Sequence, residues 1–80
     1  MNDIRIGYIG LGQRGMGLLK DVVLSQQEKV TAVCDVYADR CAEGADEVEK
    51  SGQPRPKEYS DFNDVINDKN VNTVIIATAW

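Results

Sequence analysis

The stretch GYIGLGQRG, residues 7–15, carries three glycines in the spacing G-x-G-x-x-G, at Gly10, Gly12 and Gly15. A β-branched run at residues 4–9 precedes the first of them and predicts a strand that is buried on both faces. By itself the glycine spacing is weak evidence for any particular site. Its meaning depends on the elements that flank it.

A helix is predicted to begin near Gly15, because apolar residues recur there at intervals of three and four. The predicted inner face consists of Gly15, Leu18, Leu19, Val22 and Val23. Residues 30–35 then predict a second buried strand that ends in an acidic residue, Asp35. Residues 38–48 place small apolar side chains at helical spacing between acidic ones, which predicts a second helix with an acidic outer side.

The second half of the chain continues the alternation. Glycine and two prolines within residues 51–56 end the second helix, and residues 57–60 leave room for a very short strand. Either Ser60 or Asp61 is expected to cap a third helix, whose apolar face is Phe62, Val65 and Ile66. Residues 71–78 predict the last strand, since six of these eight residues are β-branched.

This order of elements predicts an α/β fold, a Rossmann-type parallel sheet covered by helices on both faces and truncated after the fourth strand. In the strand order 3-2-1-4, the first and fourth strands are neighbours. Eighty residues make at most one small domain, so we expect residues 1–80 to form a single structural unit.

Composition excludes several other classes of protein. The formal net charge is -4 and the basic residues are scattered among carboxylates, which argues against a nucleic-acid partner. The first residues form neither a signal peptide nor a membrane anchor, so no membrane partner and a cytoplasmic location are expected. Cys34 and Cys41 form no C-x-x-C pair and the chain has no histidine, so we expect buried free thiols and no metal site.

In this context the glycines fit a dinucleotide fingerprint, because a buried strand precedes them, a helix follows, and an acid ends the next strand. Gly10 allows a tight turn, and Gly12 lets a pyrophosphate approach the backbone. Gly15 lets the helix pack close to the sheet. Asp35, twenty residues after Gly15, is placed to accept hydrogen bonds from the adenosine ribose.

The expected cofactor is NAD, with NADP less favoured, because the charge of Asp35 repels a 2′-phosphate. The pyrophosphate is expected at the free N–H groups around Gln13 and Arg14, where the helix dipole favours negative charge by about 0.3 to 1 kcal/mol. Arg40 is a further candidate that reaches the ribose or adenine.

Alternatives remain for several of these residues. Asp35 also fits a helix cap or a solvated strand end, and Arg14 fits a solvent-exposed side chain as well as a phosphate ligand. Arg40 also suits either pairing with carboxylates one helical turn away or plain solvation. Tyr37 either flanks the adenine or packs at the start of the second helix.

Three segments carry a family resemblance: IRIGYIGLGQRG, VTAVCDVYADRCAEGA and EYSDFNDVINDKNVNTVIIAT. They resemble the N-terminal half of the Gfo/Idh/MocA family of oxidoreductases. The resemblance implies a longer parent protein, in which a nicotinamide cofactor exchanges hydride with a sugar, polyol or related substrate. It implies that residues 1–80 are the N-terminal part of a dinucleotide-binding domain and that the C-terminal substrate domain is absent from this chain. By position it assigns residues 10–15 to the pyrophosphate loop, Asp35 to the ribose, and Ala77 with Thr78 to the strand end that lines the cofactor.

The same resemblance limits what this chain contains. The family commonly has proline after that threonine, where this sequence has Ala79 and Trp80, and its catalytic residues lie beyond Trp80. No catalytic residue is therefore assigned. An NAD-dependent glycosidase of the same family and a non-catalytic nucleotide-sensing module are the alternative functions. We also expect a homo-oligomer, since an apolar edge strand recruits a second chain.

Overall fold

Four parallel strands and three helical regions make up the computed structural model, which describes residues 3–77. The strands are β1 (Ile6–Ile9), β2 (Val30–Cys34), β3 (Lys57–Tyr59) and β4 (Thr73–Ile76). The helices are α1 (Gln13–Leu18), which continues into a π-helical segment (Leu19–Leu24), α2 (Ala38–Lys50) and α3 (Phe62–Ile66). The sheet order is β3-β2-β1-β4 with every pair parallel, so the predicted Rossmann-type order is confirmed.

Two apolar clusters lie on opposite faces of the sheet. The larger one joins β1 and β2 to α1, the π-helical segment and α2, with Tyr8 and Val33 fully buried at its centre. The smaller one places Val65 of α3 against Ile9 and Cys34. The helices therefore cover both faces of the sheet at β1 and β2, where the strands are almost entirely buried.

The face of the sheet that packs against α3 is less covered toward β4. Val74 and Ile76 are 40% and 66% exposed, because the five-residue α3 lies over β1, β2 and β3 instead. The prediction of a strand at residues 71–78 is correct in place, but β4 is shorter and half-exposed. β4 is also the edge of the described sheet.

The first helix buries a different set of residues from the predicted one. Gly15, Leu19 and Val23 are buried, whereas Leu18 and Val22 are exposed. The reason is the π-helical segment, whose i→i+5 hydrogen bonds widen each turn and favour a spacing of four on the inner face. The prediction that Gly15 shares a face with Leu18 and Val22 was wrong.

The third helix also differs from its prediction. Val65 is fully buried, but Phe62 and Ile66 are more than half exposed, so the predicted apolar face is mostly uncovered. Of the two predicted caps, Asp61 is the one observed, since its Oδ1 accepts the backbone N–H of Asn63 at 2.9 Å.

Both cysteines are buried and unpaired, as predicted, with Cys34 in β2 and Cys41 in α2. Burial raises the pKa of the Cys34 thiol to about 11. Within residues 3–77, no helix has both the length and the apolar character needed to cross a membrane.

Burial of Tyr8 predicts a loss of stability at alkaline pH. Its hydroxyl donates to the Gly15 carbonyl at 2.6 Å, and burial raises the pKa of Tyr8 from 10.0 to about 12. The unfolded chain therefore releases this proton at lower pH than the folded one. The contribution of Tyr8 to the free energy of unfolding is complete below pH 10 and is lost as the pH rises through about 12.

Denaturant unfolding of the wild type and Tyr8→Phe across this pH range measures the effect. We expect Tyr8→Phe to be less stable by about 1 kcal/mol at neutral pH, because it loses the hydrogen bond. Its alkaline decline should nevertheless be shallower. Cys34 contributes equally to both proteins, so parallel declines would contradict the assignment to Tyr8.

Candidate functional site

A cleft of about 230 Å³ lies beside the carboxyl ends of β1 and β2 and the start of α1. The structure brings eight of the nine predicted site residues together as its lining: Gly10, Gly12, Gln13, Arg14, Gly15, Asp35, Arg40 and Ala77. Thr78, the ninth, lies outside the described residues. Residues so far apart in the chain meet because the ends of parallel strands lie at one edge of a sheet.

The turn out of β1 is built at Gly10, whose φ of 99° is a conformation that side chains other than glycine rarely adopt. Hydrogen bonds from both neighbouring strands hold this turn. The Gly10 N–H donates to the Cys34 carbonyl at 2.9 Å, and the Ala77 N–H donates to the Ile9 carbonyl at 2.8 Å. The glycine loop, residues 10–15, therefore starts from a fixed position.

The start of α1 lies directly against this turn at Gly15. A Cβ atom on Gly15 would be 2.1 Å from the Gly10 carbonyl oxygen and 3.2 Å from that of Ala77. The Gly15 carbonyl also accepts the hydrogen bond from the buried Tyr8 hydroxyl. Close packing at Gly15 is thus part of the fold itself.

Gly12 has no comparable structural requirement. Its φ of -66° and ψ of -177° are accessible to any residue. Among residues 3–77, a Cβ atom there would meet only the Arg40 guanidinium, at an ordinary 3.7 Å. The absence of a side chain at Gly12 leaves backbone accessible at the cleft.

Backbone N–H groups at the start of α1 are also free. The Met16 N–H donates to the Gly12 carbonyl at 2.7 Å, which is the first bond of the helix. Among residues 3–77, the N–H groups of Gly12, Gln13 and Arg14 have no acceptor. These are the donors that a helix start leaves unsatisfied. The first turn of α1 contains no acidic side chain.

Asp35 connects the glycine loop to the turn after β2. Its Oδ2 accepts the Leu11 N–H at 2.7 Å, and its Oδ1 accepts the Tyr37 N–H at 2.9 Å. The alternative of a helix cap is not observed, because the residue at the N-cap of α2 is Tyr37. Sequence reasoning missed the bond to Leu11, for which the spacing of residues gives no signal.

Arg40 stacks on an aromatic ring. Its guanidinium carbon lies 4.6 Å from the centre of the Tyr37 ring, a cation–π distance. Within the described residues neither Arg40 nor Arg14 forms an ion pair, so the predicted alternative of carboxylate pairing for Arg40 is not observed. Two arginines and Asp35 therefore supply the formal charges of this cleft.

No family model matches this sequence. A glycosyl hydrolase family 109 protein of Streptomyces coelicolor is 40% identical over 81 residues, covering 96% of this chain and 17% of the relative. Proteins of the same name from Stenotrophomonas maltophilia and Shewanella pealeana are 36% and 32% identical to this chain. The matches cover 96% and 100% of this chain, respectively, and 18% of each relative.

A solved structure agrees with these relatives. The crystal structure of a probable dehydrogenase from Thermotoga maritima matches with a TM-score of 0.71 and 32% identity, over 95% of this chain and 21% of that one. The resemblance to the Gfo/Idh/MocA family is confirmed. The chain has a Rossmann-type fold like the N-terminal part of Gfo/Idh/MocA proteins, and it spans about a fifth of the length of the proteins it matches.

Substitution of Gly15 tests the packing at the start of α1. In Gly15→Ala the methyl group collides with backbone that cannot rotate away, so we expect a loss of about 1 to 3 kcal/mol in the free energy of unfolding. Urea denaturation measures it. The matched control is Gly17→Ala in the same helix, where a Cβ has no atom within 4 Å and alanine should stabilise by roughly 0.5 to 1 kcal/mol. Equal effects of the two substitutions would contradict this account.

Proposed function

We propose that this chain binds NAD in the cleft beside the glycine loop, as the cofactor-binding part of an enzyme that acts on a carbohydrate-like substrate. The observation that carries the proposal is that Gly12, which the fold does not need as a glycine, lies among unpaired N–H groups in the same cleft as Asp35. A pyrophosphate needs accessible donors and a ribose needs an acceptor.

In this proposal the pyrophosphate binds to the N–H groups of Gly12, Gln13 and Arg14. The absence of a Cβ on Gly12 allows phosphate oxygens to reach the backbone, and the start of α1 favours their negative charge. The guanidinium groups of Arg14 and Arg40, which have no carboxylate partner within residues 3–77, add positive charge at the cleft.

The ribose hydroxyl groups bind to Asp35. Each carboxylate oxygen accepts one backbone N–H, and an ionised carboxylate has about four lone-pair sites, so both oxygens retain capacity for a ligand hydroxyl. The negative charge of Asp35 disfavours a 2′-phosphate, which is why we propose NAD rather than NADP. The family pattern also assigns Ala77, which follows β4 and lines the cleft, to the cofactor. Thr78, which the pattern assigns with it, lies outside the described residues.

The whole protein has two candidate activities. When bound, NAD supplies a hydride acceptor for a carbon of the substrate. One candidate is a dehydrogenase for a sugar or polyol, supported by the match to the Thermotoga maritima protein. The second is a glycosidase that depends on NAD through transient oxidation, favoured by relatives named glycosyl hydrolase family 109 at up to 40% identity. We expect the catalytic residues outside this chain in either case.

Calorimetric titration with NAD and with NADP tests the cofactor proposal. We expect the wild type to prefer NAD, and Asp35→Ala to lose about tenfold in NAD affinity, the equivalent of about 1.4 kcal/mol, because the ribose loses its acceptor and the Leu11 N–H loses the partner that holds the glycine loop. The NAD preference should shrink because the repulsive charge is gone. Asp35→Asn, which keeps one acceptor oxygen, should fall between them. A folded wild type that binds neither cofactor, or an unchanged preference in Asp35→Ala, would contradict the proposal.

Product analysis with the longer protein separates the two activities. A chromogenic glycoside cleaved only when NAD is present, without net accumulation of NADH, indicates the glycosidase. Stoichiometric NADH with a free sugar or polyol indicates the dehydrogenase.

A further inference from the structure

Leu11 occupies the position between Gly10 and Gly12, and its side chain is 2% exposed. It packs against α2 at Gly44. A Cβ atom on Gly44 would be 2.7 Å from Leu11 Cδ1, 3.0 Å from Cδ2 and 3.4 Å from Cγ, and these are the three nearest atoms. The missing side chain at Gly44 thus leaves space that the end of the Leu11 side chain fills.

The backbone of the same residue is held from another direction. The Leu11 N–H donates to Asp35 Oδ2 at 2.7 Å, and Asp35 also accepts the Tyr37 N–H just before α2. Leu11 is therefore fixed through its side chain by the middle of α2 and through its backbone by the turn that leads into α2. Both contacts act on the residue between the first two glycines of the loop.

Glycine at position 44 lowers the stability of α2. In the interior of a helix it is about 0.5 to 1 kcal/mol less favourable than alanine, and Gly44 lies well inside the thirteen-residue α2. Its backbone needs no special conformation, since no positive φ is found there. The close contact with Leu11 is the feature of the structure that requires a glycine.

We propose that Gly44 is a positioning residue for the cofactor site, acting through Leu11. How closely the Leu11 side chain packs against α2 at Gly44 sets the position of the glycine loop relative to Asp35. It therefore sets the distance between the pyrophosphate donors and the ribose acceptor. The inference rests on the proposed function for its ligand, whereas its geometry concerns only this chain.

Gly44→Ala is the direct test, read out by amide hydrogen exchange at Leu11 and by NAD titration. The methyl group displaces the Leu11 side chain, whose ends are flexible, so the chain stays folded while the loop shifts. We expect exchange of the Leu11 amide to accelerate at least about fivefold and NAD affinity to fall by about tenfold. Lys50→Ala, at the exposed last position of α2, is the matched control and should change neither.

Restoration by a second substitution distinguishes positioning from general destabilisation. Leu11→Val removes the terminal carbon atoms nearest to the added methyl group, so the double variant Leu11→Val/Gly44→Ala should recover both slow exchange and NAD affinity to within about twofold. Should Gly44→Ala not fold, Leu11→Val alone provides the test, because it weakens the contact without adding bulk and should accelerate exchange at Leu11.

Unchanged exchange at Leu11 in Gly44→Ala, or in Leu11→Val where that variant stands alone, would overturn the proposal. So would a loss of NAD binding that the double variant does not recover. If the folded wild type binds no NAD, the proposed function fails, and the exchange measurements alone then decide whether Gly44 positions the loop.

Discussion

The close approach of two backbone segments, at Gly10 and Gly15, is the constraint on which the rest of the site depends. A Cβ at Gly15 would lie 2.1 Å from the Gly10 carbonyl oxygen, so the helix can begin beside the turn only because this position lacks a side chain. The buried Tyr8 hydroxyl holds the same helix turn through the Gly15 carbonyl. The unpaired N–H groups of the helix start are consequently held at the strand ends, where a ligand can reach them.

The three glycines of the motif have different physical roles. Gly10 provides a positive φ, Gly15 provides a close approach, and both follow from the fold. Gly12 satisfies neither requirement, and its bare backbone suits an external ligand. Contacts that hold a loop in place before the ligand arrives lower the ordering cost of binding. Leu11 supplies two such contacts, to Gly44 and to Asp35.

Sequence patterns predicted the strand order and most of the residues that meet at the cleft, because buried parallel strands and the G-x-G-x-x-G spacing each have a direct pattern. Ala77 was assigned only through the family resemblance. The patterns failed at the helix after Gly15, where a π-helical segment exposes Leu18 and Val22, since no local signal marks a change from i→i+4 to i→i+5 bonding. They also missed the contacts of Leu11 with Asp35 and Gly44. These partners lie 24 and 33 positions further along the chain, so the contacts depend on tertiary packing.

A crystal structure of the protein grown with NAD tests the central claim most directly, namely that the glycine loop is a preformed pyrophosphate site. The account predicts pyrophosphate oxygens within hydrogen-bond distance of the N–H groups of Gly12, Gln13 and Arg14, ribose hydroxyls at Asp35, and a loop that moves little on binding. NAD bound elsewhere on the domain, or bound in the cleft only after the loop has left its contacts with Asp35 and Gly44, would contradict it.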